Sequence, residues 1–131
     1  MSAELDLGAY LRRVGLAAPP SVDLAGLLTL HFVHATTIPF ENVDIQLGLP
    51  IRLDLGSLQA KLVQRRRGGY CFEHNTLLLR VLEALGYDVR PISARVRLGR
   101  PRDYTPARTH VFLRVELGGE KIGRASCRER V

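Results

Sequence analysis

Residues 67–86 restrict the possible folds more than any other stretch. Arg67-Gly68-Gly69-Tyr70-Cys71-Phe72-Glu73-His74-Asn75 leads into Leu77, Leu78, Val81, Leu82 and Leu85 at helical spacing, and Gly86 follows directly. Paired glycines permit a sharp backbone turn, the 3.6-residue period predicts a helix from about Tyr70 to Leu85, and Gly86 is placed for a left-handed C-cap. Beyond Gly86 the period changes to two. Residues 89–98 alternate in part, with Ile92, Ala94, Val96 and Leu98 on one side. Residues 108–117 alternate more clearly, with Val111, Leu113, Val115 and Leu117 on one side and His110, Phe112 and Arg114 on the other. Residues 99–107 hold two prolines and read as the loop between two antiparallel strands. A helical part that gives way to antiparallel strands is an α+β chain.

Upstream, Leu5, Leu7, Leu11 and Val14 fall near helical spacing over residues 4–15, with Gly15 as a stop. Pro19-Pro20 breaks the chain, Ser21 is a candidate cap, and residues 22–35 form a second, leucine-rich helix. His31 and His34 share a side of it, but no further ligands lie nearby to complete a metal site. Pro39, Gly48 and Pro50 mark residues 36–53 as a loop. Asp54 offers an N-cap for a third helix over residues 55–64, with Arg65-Arg66-Arg67 at its C-terminal end, where positive charge complements the dipole and usually lies in solvent. The domains expected are a helical one over 1–86, a strand domain over 87–120 and a separate tail over 121–131.

With 131 residues the chain has room for one modest domain, or for one and part of another. The net charge of +6 invites a nucleic-acid reading, but half of that excess sits in residues 121–131, and no aromatic interleaving or reading motif accompanies it. No apolar run reaches membrane-spanning length, and Glu4 and Asp6 stand where a secretory signal would carry positive charge. Cys71 is the only cysteine before the tail, which holds Cys127, so no disulfide framework is expected. A cytoplasmic protein that binds neither nucleic acid nor membrane is the expectation.

Cys71 opens the central helix, where unpaired N–H groups and the positive end of the dipole favour a thiolate. That makes it a candidate nucleophile. It also lies within ~40° of the direction of Leu78, Leu82 and Leu85, so an inert core cysteine is an equally good reading of the spacing. A nucleophile needs a base, and two histidines compete: His74, one turn along the same helix, and His110, on a distant strand. Spacing leaves both open. Phe40 reads as a core plug, and Glu41 either as an exposed charge or as a partner that clamps its loop to Arg66 or Arg67.

The run 67–75, with Ile38-Pro39-Phe40-Glu41-Asn42 upstream and Thr109-His110-Val111 downstream, resembles the arylamine N-acetyltransferase family. Three blocks occur in the right order, and the likeness covers nearly all of residues 4–120. The resemblance implies a helical bundle followed by the first strands of an antiparallel β-barrel, around a cysteine-protease-like core. It implies Cys71 as nucleophile and His110 as its base, with Phe40, Val96 and Thr109 lining the substrate pocket and Glu41, Arg66 and Arg67 in support. It also implies acetyl-CoA as co-substrate, with no metal, and transfer by a ping-pong route to arylamines, arylhydroxylamines or hydrazines.

The chain departs from the family in one respect. The aspartate that completes the catalytic triad would fall near Ala125, and no Asp follows Asp103. Residues 121–131, Lys-Ile-Gly-Arg-Ala-Ser-Cys-Arg-Glu-Arg-Val, break the strand pattern and match a reading frame of a common sequencing adapter, so they read as a non-native tail. The expectation is an N-terminal fragment with little or no activity by itself, since losing the orienting acid costs about four orders of magnitude in well-studied triads. Two other classes fit the same residues: a Cys–His hydrolase of papain-like or transglutaminase-like type, and a helical interaction module with an inert Cys71. The CoA phosphates are not assigned partners, because Arg95, Arg97, Arg100 and Arg102 are equally good exposed charges.

Overall fold

The computed structural model describes residues 4–94, 110–118 and 120–124. Helix α1 spans Leu7–Val14; Asp6 caps its start by accepting from the Ala9 N–H, and Gly15 ends it at φ +83°. Helix α2 spans Leu24–Thr37. Its cap is Asp23, not Ser21: the Asp23 carboxylate accepts from the Gly26 N–H at 2.8 Å, and the Ser21 hydroxyl donates to the same oxygen at 2.8 Å. A carboxylate satisfies a helix-start donor better than a hydroxyl does, and Ser21 is left to steady it.

The stretch read as a loop over 36–53 contains the end of α2 and a single-turn helix α3, Val43–Gln46. The third helix begins where expected, with Asp54 capping α4, Leu55–Leu58, but it does not continue as an α-helix. Gln59–Gln64 is a π-helical segment, closed by a bond of 2.9 Å from the Arg65 N–H to the Ala60 carbonyl. Tertiary partners stabilise the wider turn. The Leu62 carbonyl accepts from Arg13 Nε at 2.8 Å, and the Lys61 carbonyl accepts from the Arg67 N–H at 3.0 Å. π-segments of this kind recur next to functional sites because they redirect side chains that an α-turn would point elsewhere.

Helix α5, Cys71–Leu85, is the longest element and closes at Gly86, φ +100°. Strand β1, Asp88–Ala94, pairs antiparallel with β2, His110–Leu117, from Asp88 opposite Glu116 to Ala94 opposite His110. Pro91 is tolerated because β1 is at the observed edge of the sheet. Strand β3, Glu120–Arg124, pairs with β2 with Leu117 opposite Glu120 and Leu113 opposite Arg124. Residues 121–124, read from the sequence as breaking the strand pattern, are therefore part of the sheet: Ile122 falls opposite Val115, and the ladder needs only backbone groups from its neighbours. Residues 125–131 lie outside the described residues.

Helix α5 packs across β1 and β2, and α1 packs against α2 and the π-segment. The core between them holds Tyr10, Leu30, Leu58, Leu62, Leu77, Leu82, Leu113 and Val115, all almost fully buried. The apolar stripes of α5 and β2 thus meet, as their periods of 3.6 and two require. Among the described residues no helix is long and apolar enough to cross a membrane.

Candidate active site

Cys71 is the first residue of α5 and is buried, at 3% exposure. Gly68 and Gly69 bring the chain to it, though not by turning. Neither is among the positive-φ glycines. They are needed for clearance: a Cβ on Gly68 would lie 1.9 Å from the Pro39 carbonyl oxygen, and one on Gly69 would lie 2.8 Å from Glu73 Cβ. The left-handed residue is Arg66, at φ +55°.

The glycines are zipped to the Phe40 loop. Phe40 and Gly69 form a parallel bridge, the Gly69 N–H donates to the Pro39 carbonyl at 3.2 Å, and the Glu41 N–H donates to the Gly69 carbonyl at 2.9 Å. Arg67 reinforces the junction. One of its terminal nitrogens lies 2.8 Å from Glu41 and 2.9 Å from Asp44. Arg66 takes no part in that pairing; its side chain is exposed and its carbonyl accepts from Arg13 at 3.3 Å.

A charge network gathers on Glu73, two residues after Cys71. Lys61, delivered by the π-segment, sits 2.8 Å from Glu73 and 3.0 Å from Asp44, and Glu73 also accepts from the Tyr70 N–H at 3.1 Å. Burial works against the Lys61 ammonium, but the Glu73 and Asp44 carboxylates outweigh it and hold its pKa above the ordinary value. Arg67 first, then Lys61, holds the Asp44 carboxyl below its ordinary pKa. Glu73 caps the helix, yet its negative charge two residues from Cys71 opposes a thiolate; Lys61 compensates that field.

His74 does not face the thiol with a free nitrogen. Its Nδ1 lies 3.0 Å from His34 Nε2 and its Nε2 lies 2.9 Å from the Pro39 carbonyl, while His34 Nδ1 lies 2.7 Å from the Tyr10 hydroxyl. The His74 ring also stacks on Phe40, with centroids 6.3 Å apart and planes within 5°. Burial, and then His74, pushes the His34 pKa down to about 3; burial also lowers that of His74, against an opposing pull from the Pro39 carbonyl and Glu73. His34 is thereby occupied as well. Among the described residues no group of three or more His, Cys, Asp or Glu is arranged to hold a metal.

His110 begins β2, opposite Ala94. Helix α5 grips this end of the strand directly: Asn75, one turn after Cys71, donates through Nδ2 to the Val111 carbonyl at 2.6 Å. Val96 and Thr109 lie outside the described residues. Sequence reasoning missed Tyr10, Lys61, Asp44 and Asn75, and took His74 only as a possible base. Their contacts join residues far apart in the chain. A buried lysine in particular leaves no periodic signal, because lysines usually lie outside.

The framework is similar to that of known proteins. A profile described as N-acetyltransferase matches residues 23–122. The arylamine N-acetyltransferase of Mycolicibacterium smegmatis is 50% identical over 117 residues, which is 88% of this chain and 42% of that protein. The Escherichia coli K12 enzyme of the same name is 46% identical over 115 residues, 88% of this chain and 41% of its own. Among solved structures, the Salmonella typhimurium arylamine N-acetyltransferase superposes with a TM-score of 0.88 at 38% identity, over 96% of this chain and 46% of that one. The Mycobacterium marinum enzyme in complex with CoA superposes at 0.84 and 41% identity, over 93% and 46%. The chain belongs to the arylamine N-acetyltransferase family, and it spans less than half the length of these relatives.

Proposed function

We propose that this chain carries the nucleophile and base of an arylamine N-acetyltransferase that works by a ping-pong route. The Cys71 sulfur attacks the thioester carbonyl of acetyl-CoA, the bond to the CoA sulfur breaks, CoA leaves as its thiol, and an acetyl-cysteine remains. One thioester replaces another, so this step is readily reversed. A neutral aromatic amine, hydroxylamine or hydrazine then attacks the acetyl carbonyl, Cys71 leaves as thiolate, and His110 takes the proton from nitrogen. Phe40, beside the approach to Cys71, lines the acceptor pocket with Val96 and Thr109, and the Glu41–Arg67 pair holds that loop in place. The aspartate that would orient His110, the remaining barrel strands and a cytoplasmic setting belong to the same reading.

The observation that carries the proposal is the helix-opening Cys71 tied, through Asn75 and the Val111 carbonyl, to the strand end that bears His110. It favours His110 over His74, whose two nitrogens are engaged elsewhere. The test is to incubate the protein from its complete reading frame with acetyl-CoA and no amine. A mass gain of about 42 Da, one acetyl group, confined to the peptide bearing Cys71 and abolished by His110→Asn, is the expected result. Amide or peptide cleavage with no acetyl adduct would instead indicate a hydrolase.

A further inference from the structure

Tyr10, His34 and His74 form a buried polar chain that the two transfer steps above do not use. Its direction follows from chemistry. The Pro39 carbonyl can only accept, so His74 Nε2 donates to it, at 2.9 Å. In a neutral ring Nδ1 is then the acceptor, so His34 Nε2 donates to His74, and His34 Nδ1 is left to accept from the Tyr10 hydroxyl. All the donors point toward the loop. A chain that ends on a carbonyl cannot hand a proton on, so it is no proton wire.

Its end point shows what it holds. Pro39 has no N–H, so its carbonyl is its only main-chain hydrogen-bonding group, and that oxygen takes both His74 and the Gly69 N–H. The next residue is Phe40, which is stacked on His74 and bridged to Gly69. Burying three polar side chains is costly unless each finds a partner in a defined geometry, which apolar residues would not impose. We infer that Tyr10, His34 and His74 are positioning residues: they fix Phe40 against the approach to Cys71, and so control transfer to the amine rather than acetylation of the enzyme. This rests on Phe40 lining the acceptor pocket.

The experiment compares His74→Asn, whose amide is too short to reach Pro39, with His74→Gln, whose amide nitrogen falls near the Nε2 position. In the protein from its complete reading frame, His74→Asn should raise the KM for an arylamine by about tenfold while the rate of Cys71 acetylation stays within about twofold, and His74→Gln should recover most of the loss. An unchanged amine KM, or an equal slowing of both steps, would overturn the inference. Amide hydrogen exchange at Gly69 and Glu41 reads the same device without catalysis: it should be faster in the Asn variant than in the Gln variant, and equal rates also overturn the inference. Should the wild-type protein never acetylate Cys71, the acetyltransfer reading fails while the exchange comparison still decides the positioning role. Tyr10→Phe, which keeps the packing and loses only the hydroxyl, gives the same comparisons if His74→Asn does not fold; amine KM and exchange at the wild-type level would then count against the inference.

Discussion

His34 should make the fold sensitive to mild acid. Its pKa in the folded chain is pushed down to about 3, chiefly by burial, whereas in the unfolded chain it is about 6.5. The folded value is the lower one, so below about pH 6.5 the unfolded chain binds a proton that the native state refuses. The stabilising contribution is therefore complete above that pH and is lost steadily as pH falls toward 3. Each pH unit inside the window costs about 1.4 kcal/mol, so moving from pH 7 to pH 5 removes about 2 kcal/mol through His34 alone. His74 is shifted the same way and adds to the loss. Asp44, whose pKa is lowered, contributes only in stronger acid, which leaves pH 5–7 to the histidines. Urea unfolding at pH 7 and pH 5 measures the effect, with His34→Gln as the reference. The variant should be less stable at pH 7 but should lose about 2 kcal/mol less than wild type on acidification. The same pH dependence in both proteins would refute the assignment of His34 as a buried neutral ring.

Lys61→Met leaves the buried Glu73 without its cation, while Asp44 keeps Arg67, and should destabilise the fold by about 3 kcal/mol, read as a drop in the unfolding midpoint; adding Glu73→Gln should recover part of it. Gly68→Ala drives a Cβ into the Pro39 carbonyl, so it should cost more than about 2 kcal/mol and shift the amide resonances of residues 40 and 41. Asn75→Ala removes the donor to the Val111 carbonyl and should cost about 1–3 kcal/mol in unfolding free energy while slowing Cys71 acetylation. A variant that unfolds and reacts like wild type would show that this bond does not hold β2 to α5.

The order of elements was legible because local signals agree with the tertiary structure. Gly86 ends α5 in the left-handed conformation anticipated for it, and the period-two run after it pairs as antiparallel strands. Asp54 caps a helix as its residue type suggests. Legibility stops where a distant group decides. The π-segment is braced by Arg13, which donates to the Leu62 carbonyl, and nothing within residues 59–64 announces that. The same holds for the glycine pair. Gly68 suggests a turn when read locally, but its requirement comes from Pro39, which is 29 positions earlier in the chain. Of the site residues, Cys71 and Phe40 were singled out by motif, whereas Lys61 was hidden by the ordinary surface preference of lysine.

Lys61 is one of two lysines in the chain, the other being Lys121, and its amine is held as an ammonium by the Glu73 and Asp44 carboxylates. An amine is acylated only when deprotonated and reachable, so this one should stay unmodified by activated esters for as long as those two ion pairs hold. Covalent marking at residue 61 therefore works as a chemical clock for the parting of that ion-paired cluster, and resistance to marking reports that it is intact.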